Sequence, residues 1–89
     1  MPKSFKDLQE AKEVSGEEIL ETMKDYVDSG AAVNGRAVLD LVICCASIST
    51  IQKVEMCRLA HIGADNQLRR GFRNDAMEYL TVSAFMLLV

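Results

Sequence analysis

The sequence has no tryptophan, a single proline and few aromatic residues, which make up 6% of its 89 positions. A hydrophobic core must therefore be built from aliphatic side chains, methionine and cysteine. One proline and five glycines exclude collagen-like and low-complexity structure. Apolar residues account for 49% of the chain and charged residues for 26%, so a disordered chain is excluded as well.

A strong charge of one sign is also missing, because the formal net charge is −3. Nucleic-acid-binding domains carry a surplus of basic residues, so we expect no DNA or RNA partner. The charges are nevertheless unevenly spread. Residues 1–28 hold four lysines against eight acidic residues, whereas residues 53–73 hold five basic residues against two acidic ones. This asymmetry predicts electrostatic contact within the chain, between copies of it, or with another protein.

The sequence has neither an even number of cysteines nor an apolar stretch long enough to cross a membrane. Cys44, Cys45 and Cys57 are odd in number, and two of them are adjacent, which does not fit a secreted disulfide framework. We interpret all three as reduced core residues and expect a cytoplasmic protein. The uncharged residues 41–52 and 79–89 are shorter than the about 20 residues of a membrane helix, so no membrane partner is expected.

Helix signals open the chain. Ser4 and Asp7 predict the start of a short helix, whose apolar positions 5, 8, 11 and 14 recur every three residues. Ser15 and Glu18 fit a capping box at the start of a second helix, and Gly30 is placed to end it.

Residues 36–62 lack an obvious turn and keep apolar residues at helical spacing, which predicts one long helix that is apolar all round in its first half. We expect Gly63 to end it and Asp65 to cap the last helix. The predicted fold is therefore all-α. One domain, residues 1–89, forms a small helical bundle in which a long αα-hairpin packs against short N-terminal helices.

A helix that is apolar on every side must be buried on every side, and 89 residues provide too few helices to surround it. The sequence therefore predicts a homo-oligomer. The candidate interface residues are Leu41, Cys44, Cys45, Ile48 and Ile51.

Catalytic and metal-binding patterns are weak. Cys57 and His61 share a helix face, but zinc needs three or four ligands, so we expect no metal. The all-α nucleotide pyrophosphohydrolases hold Mg²⁺ with two pairs of acidic residues. Glu18 with Glu21, and Asp75 with Glu78, have comparable spacings but lie too far apart in the sequence for that pattern. We expect neither a cofactor nor an enzymatic activity.

Arg69, Arg70 and Arg73 are predicted to lie in the early turns of the last helix, where positive charge opposes the helix dipole. Three explanations remain open. Acidic neighbours in the same or a neighbouring chain, with Asp65 among them, would offset the charge. Alternatively, a phosphate-containing ligand would bind there, or the arginines would dock on an acidic protein. Asn66 joins the three arginines as a candidate ligand-binding residue.

Residues 62–72, which end in Gly-Phe, resemble the segment that opens the last helix of the phage cyclic-oligonucleotide sponges, the anti-CBASS proteins. The opening residues 5–8 and residues 17–19 are similar to that family's first helix, so the resemblance covers about a third of the chain. The early tyrosine of the family is Phe5 here. The resemblance implies a small, all-helical, oligomeric protein that sequesters bacterial immune messengers.

Two functions follow from these patterns. We expect a small, non-catalytic, cytoplasmic interaction or regulatory protein that works as a helical homo-oligomer, such as a phage-type inhibitor. The alternative is a protein that binds nucleotide or cyclic-oligonucleotide messengers through Arg69, Arg70 and Arg73.

Overall fold

The computed structural model describes residues 4–89, and all regular structure in that range is helical. The helices are α1 (Phe5–Glu10), α2 (Gly16–Ser29), α3 (Gly35–Cys44), α4 (Thr50–Arg69) and α5 (Arg73–Phe85), followed by a 3₁₀ turn (Met86–Leu88). The predicted all-α bundle is confirmed. The first three residues of the predicted domain, 1–89, lie outside the described residues.

The first two helices begin where the sequence predicts. The Oγ atoms of Ser4 and Ser15 each accept a hydrogen bond of 3.1 Å from the backbone N–H three residues later, and both helices have complete capping boxes. Gly30 ends α2 in the left-handed conformation, at a φ of 73°. The apolar spacing to Val14 predicted a longer first helix, but α1 already ends at Glu10.

The prediction of one long helix over residues 36–62 is wrong, because residues 45–49 separate α3 from α4. Ser49 caps α4. Its Oγ accepts the N–H of Gln52 at 3.1 Å, and the Gln52 side chain accepts the N–H of Ser49 at 2.9 Å. Ser47 Oγ accepts the N–H of Gly16 at 3.2 Å and ties the loop to α2. These serines stabilise the break by giving backbone groups new partners.

The predicted end of the long helix is wrong as well. Gly63 and Asp65 both lie inside α4, which continues to Arg69. Gly71, at a φ of 82°, forms the turn, and α5 begins at Arg73 without a side-chain cap. An αα-hairpin is present, but it consists of α4 and α5 and turns at residues 70–72.

The core lies where α4 packs against α2 and α5, and where α3 packs against α5. α1 lies across α2 and α3, and the Phe5 ring is 4.7 Å from that of Tyr26. Ala76 and Tyr79 on α5 are buried, and so is Met86 in the 3₁₀ turn. The largest fully buried side chains are Leu8, Ile19, Met23, Met56, Tyr79 and Met86.

Candidate interaction surface

The five predicted interface residues have different environments. Leu41 and Cys45 are buried in the core of the chain itself, and Ile48 is half-buried in the loop before α4. Cys44 and Ile51 are exposed. The predicted continuous helix that is apolar all round is not present, because residues 45–49 break it and each helix exposes one side. Burial of Cys44 and Ile51 against another copy stays a prediction.

The prediction of three core cysteines is also wrong for Cys44. All three cysteines are free thiols. Cys45 is buried and Cys57 is half-buried, but Cys44 is exposed. Cys44 lies at the edge of an open cleft of about 730 Å³ between α1 and the end of α3. Its floor is apolar, with Leu8 and Leu41, and the charged residues on its rim are Lys12, Glu13, Glu18 and Asp40. The Cys44 thiol is therefore accessible.

The arginines lie elsewhere than predicted. Arg69 is the last residue of α4 and Arg70 follows it, so both lie at a helix C-terminus, where positive charge is stabilising. Arg69 Nε is 3.0 Å from Asp65 Oδ2, the acidic neighbour that the sequence indicated. Arg70 donates to the carbonyl of Gly30 at 3.1 Å and lies 5.0 Å above the Phe72 ring. Neither Arg69 nor Arg70 is therefore an uncompensated charge at a helix start.

The remaining candidate anion-binding residues, Asn66 and Arg73, lie on either side of the turn between α4 and α5. Arg73 is the first residue of α5, and its side chain has no hydrogen bond or ion pair within residues 4–89. Asn66 is half-buried within α4, and its backbone carbonyl accepts the N–H of Arg70. Asn66 thus contributes its backbone carbonyl to the last turn of α4.

Beneath these arginines, two buried side chains hold the loop between α2 and α3. Gln67 Nε2 donates to the carbonyl of Gly30 at 2.8 Å, and Tyr79 Oη donates to that of Ala31 at 2.6 Å. Burial, with smaller contributions from Tyr26 and Asp75, raises the pKa of Tyr79 to about 12. This end of the bundle is therefore cross-linked by hydrogen bonds.

Cys57 and His61 do share a helix face, and both contact α5 at Ser83. His61 Nδ1 is 2.7 Å from Ser83 Oγ, and Cys57 Sγ lies 3.5 Å from the Ser83 carbonyl oxygen. Burial raises the pKa of the Cys57 thiol. In the part of the chain that the structure describes, no three His, Cys, Asp or Glu residues are grouped to hold a metal ion. The two residues instead join α4 to α5.

The paired carboxylates also have structural contacts. Glu18 completes the capping box of α2, and Glu78 Oε1 accepts the N–H of Gly35 at 2.7 Å, which fixes the start of α3 against α5. Two of the four acidic residues considered for Mg²⁺ thus stabilise helix ends.

One side of α4 is exposed along its whole length. The exposed positions recur at intervals of three and four residues, which places them on one face of the helix. We call these residues the α4 stripe; they are Ile51, Val54, Arg58, His61, Asp65 and Leu68. Three are aliphatic, and Ile51 is 82% exposed.

A second exposed stripe follows the same spacing on α5 and the turn after it; its residues are Met77, Leu80, Ala84 and Leu87. The two stripes adjoin, because His61 bonds Ser83, which lies between Leu80 and Leu87. Together they form the hairpin face. The apolar spacing of Leu68 and Leu80 does not by itself show whether this side of each helix has a partner.

No family model, no curated protein and no solved structure matches this chain. The resemblance to the cyclic-oligonucleotide sponges therefore stays a prediction. Within residues 4–89, no helix has the length and apolarity that crossing a membrane requires.

Proposed function

We propose that this is a non-catalytic interaction protein that works as a helical homo-oligomer, and that copies associate through the hairpin face. The observation that supports the proposal most is the row of exposed aliphatic side chains on two adjoining helices. Soluble monomers seldom expose contiguous apolar patches beyond a few hundred Å². The small size of the chain supports the same conclusion, because small domains often gain stability by oligomerising.

The hairpin face is apolar enough to drive association. It includes six large apolar side chains: Ile51, Val54, Leu68, Met77, Leu80 and Leu87. Full burial of one such side chain contributes about 1.5–3 kcal/mol, and these are already partly covered. The combined gain is comparable with the about 4–15 kcal/mol of freedom that two molecules lose on association. We therefore expect a reversible oligomer rather than a permanent one.

The cellular role is a further part of the proposal. Three free cysteines support a cytoplasmic location. The resemblance of residues 62–72 to the sponges supports a phage-type inhibitor, which would use the assembled form. Binding of a nucleotide messenger at Arg69, Arg70 and Arg73 has less support, because the first two already have partners.

The proposal is tested by placing one charge on the hairpin face. Met77 is 59% exposed on α5, and Met77→Glu should weaken self-association at least about tenfold, because the glutamate would lose its hydration on assembly. Ile43, 62% exposed on α3, provides the matched control: Ile43→Glu should associate like the wild type. Sedimentation velocity gives the association constants, and circular dichroism checks that both variants fold. Equal association of the Met77→Glu variant and the wild type would contradict the proposal.

A further inference from the structure

The α4 stripe has a positive residue before its histidine and a negative residue after it. When the stripe is read in the opposite direction, the two charges exchange places. From Val54 the stripe continues through Arg58, His61 and Asp65 to Leu68, at spacings of four, three, four and three residues. Read backwards from Leu68, the stripe again begins with an aliphatic residue, followed by a charged residue and then the histidine. The charged residue in this direction is Asp65, opposite in sign to the arginine of the forward direction. Such a pattern fits itself when a second copy of the helix runs in the opposite direction.

We propose that two copies pair through α4 in antiparallel orientation, about a two-fold axis next to His61; this rests on the proposed function. In that pairing Arg58 faces Asp65 of the second copy, and Val54 faces Leu68. A two-fold axis makes each contact occur twice, as in an isologous dimer. With a rise of about 1.5 Å per residue, each of these pairs is in register to within one residue.

The flanking charges extend the same complementarity. Glu55 lies beside Arg58 and Arg69 lies beside Asp65, each pair already joined within the helix. The antiparallel register brings Glu55 opposite Arg69 of the second copy. Each half of the interface then has two pairs of opposite charges, next to the aliphatic contacts at the two ends of the stripe.

The parallel alternative is disfavoured by the same residues. In a parallel two-fold pairing each residue faces its own copy, so Arg58 would face Arg58 and Asp65 would face Asp65. Like charges brought together at an interface disfavour association. The charge order therefore selects one orientation, whereas the aliphatic residues alone would accept both.

Arg58 and Asp65 are available for a second partner. Arg58 pairs with Glu55 and Asp65 pairs with Arg69, but their side chains remain 60% and 58% exposed. A guanidinium has five N–H donors and a carboxylate accepts several hydrogen bonds, so the intrahelical pairs need not break.

Charge reversal tests the pairing with the full-length chain. Arg58→Glu and Asp65→Arg should each weaken self-association at least about tenfold, because each places two pairs of like charges in the dimer. An equimolar mixture of the two variants should form a 1:1 heterodimer with an affinity within about threefold of the wild type. In the antiparallel register the mixture regains both pairs of opposite charges. The double variant Arg58→Glu/Asp65→Arg should also recover self-association. In a parallel register the single variants would associate like the wild type, the mixture would associate more tightly than the wild type, and the double variant would show no recovery.

The matched control is the exposed ion pair of Arg36 and Asp40 on α3, 3.2 Å apart. Arg36→Glu and Asp40→Arg change charge by the same amounts and should leave association unchanged. Sedimentation velocity follows association, and circular dichroism checks folding. If the wild type associates but the single variants match it, or if the mixture stays monomeric, the pairing is wrong and the proposed function stands. A wild-type monomer would overturn both.

Discussion

The ring of Tyr79 lies directly against the backbone of Gly63, so that a Cβ atom at position 63 would be only 2.6 Å from the Tyr79 Cε1 atom. This contact lets α5 approach α4 closely at the middle of the hairpin. It also places Tyr79 where its hydroxyl can reach the carbonyl of Ala31. The geometry of the hairpin face thus depends on a glycine that the sequence suggested as a helix end.

Gly63→Ala should therefore destabilise the protein, by about 1–3 kcal/mol, because the added methyl group must displace the Tyr79 ring. Helix propensity acts in the opposite direction, since alanine is favoured over glycine by about 1 kcal/mol in a helix interior. Urea denaturation measures the net result. In a Tyr79→Ala background the ring is gone, and the same substitution should become stabilising. A stabilising effect in the wild-type background would contradict the close contact.

The raised pKa of Tyr79 predicts a loss of stability at alkaline pH. The ordinary pKa of tyrosine is 10, whereas that of Tyr79 in the folded protein is about 12. Between pH 10 and 12 the unfolded chain loses the phenolic proton while the folded protein keeps it, which favours unfolding. The free energy of unfolding should fall by up to about 1.4 kcal/mol per pH unit in this range.

Tyr79→Phe isolates that effect from the titration of other groups. Below pH 10 the wild type should be more stable by about 1 kcal/mol, because it keeps the hydrogen bond to Ala31. From pH 10 to 12 this advantage should shrink and then reverse. Urea denaturation of both proteins at several pH values provides the comparison, and a constant difference up to pH 12 would contradict the buried, neutral phenol.

The cysteines should react in a fixed order with a thiol reagent. Cys44 is exposed, whereas Cys45 is buried and Cys57 is half-buried with a raised pKa. Alkylation under native conditions should modify Cys44 first and leave the other two until the protein unfolds. Mass spectrometry after limited alkylation measures the order. Cys44→Ser should remove the rapid phase, and a rapid phase that persists in this variant would be inconsistent with the structure.

The arginines at the α4–α5 turn allow the two functions to be separated. Because Arg69 and Arg70 have protein partners, we expect no melting shift with a cyclic dinucleotide or ATP. A ligand present at one hundred times its Kd would stabilise the protein by about 2.7 kcal/mol, which a melting experiment detects easily. A shift that Arg73→Ala removes, and Arg36→Ala does not, would instead favour the messenger-binding alternative.

Local signals in the sequence predicted much of the fold. Ser4, Ser15 and Gly30 mark helix ends because their caps form with residues close by in the chain. Such contacts can be recognised from spacing alone. The all-α class and the presence of a hairpin also follow from the spacing of apolar residues.

The errors arose where contacts between distant residues decide the structure. Ser49 and Gln52 form a capping box that marks the start of α4. This signal was missed because the residues on both sides of it are apolar and keep helical spacing. Gly63 stays inside α4 because Tyr79, sixteen positions later, fills the space beside it. The hairpin face was not predicted, because apolar residues recur at the same spacing along a helix whether that side of the helix is exposed or buried.

Sedimentation equilibrium of the wild-type protein over a range of micromolar concentrations tests the central claim most directly. The account predicts a mass that rises with concentration from 9.9 kDa towards a multiple of it, as copies associate through the hairpin face. A mass that stays at 9.9 kDa throughout, in a protein that is folded and stable, would contradict it.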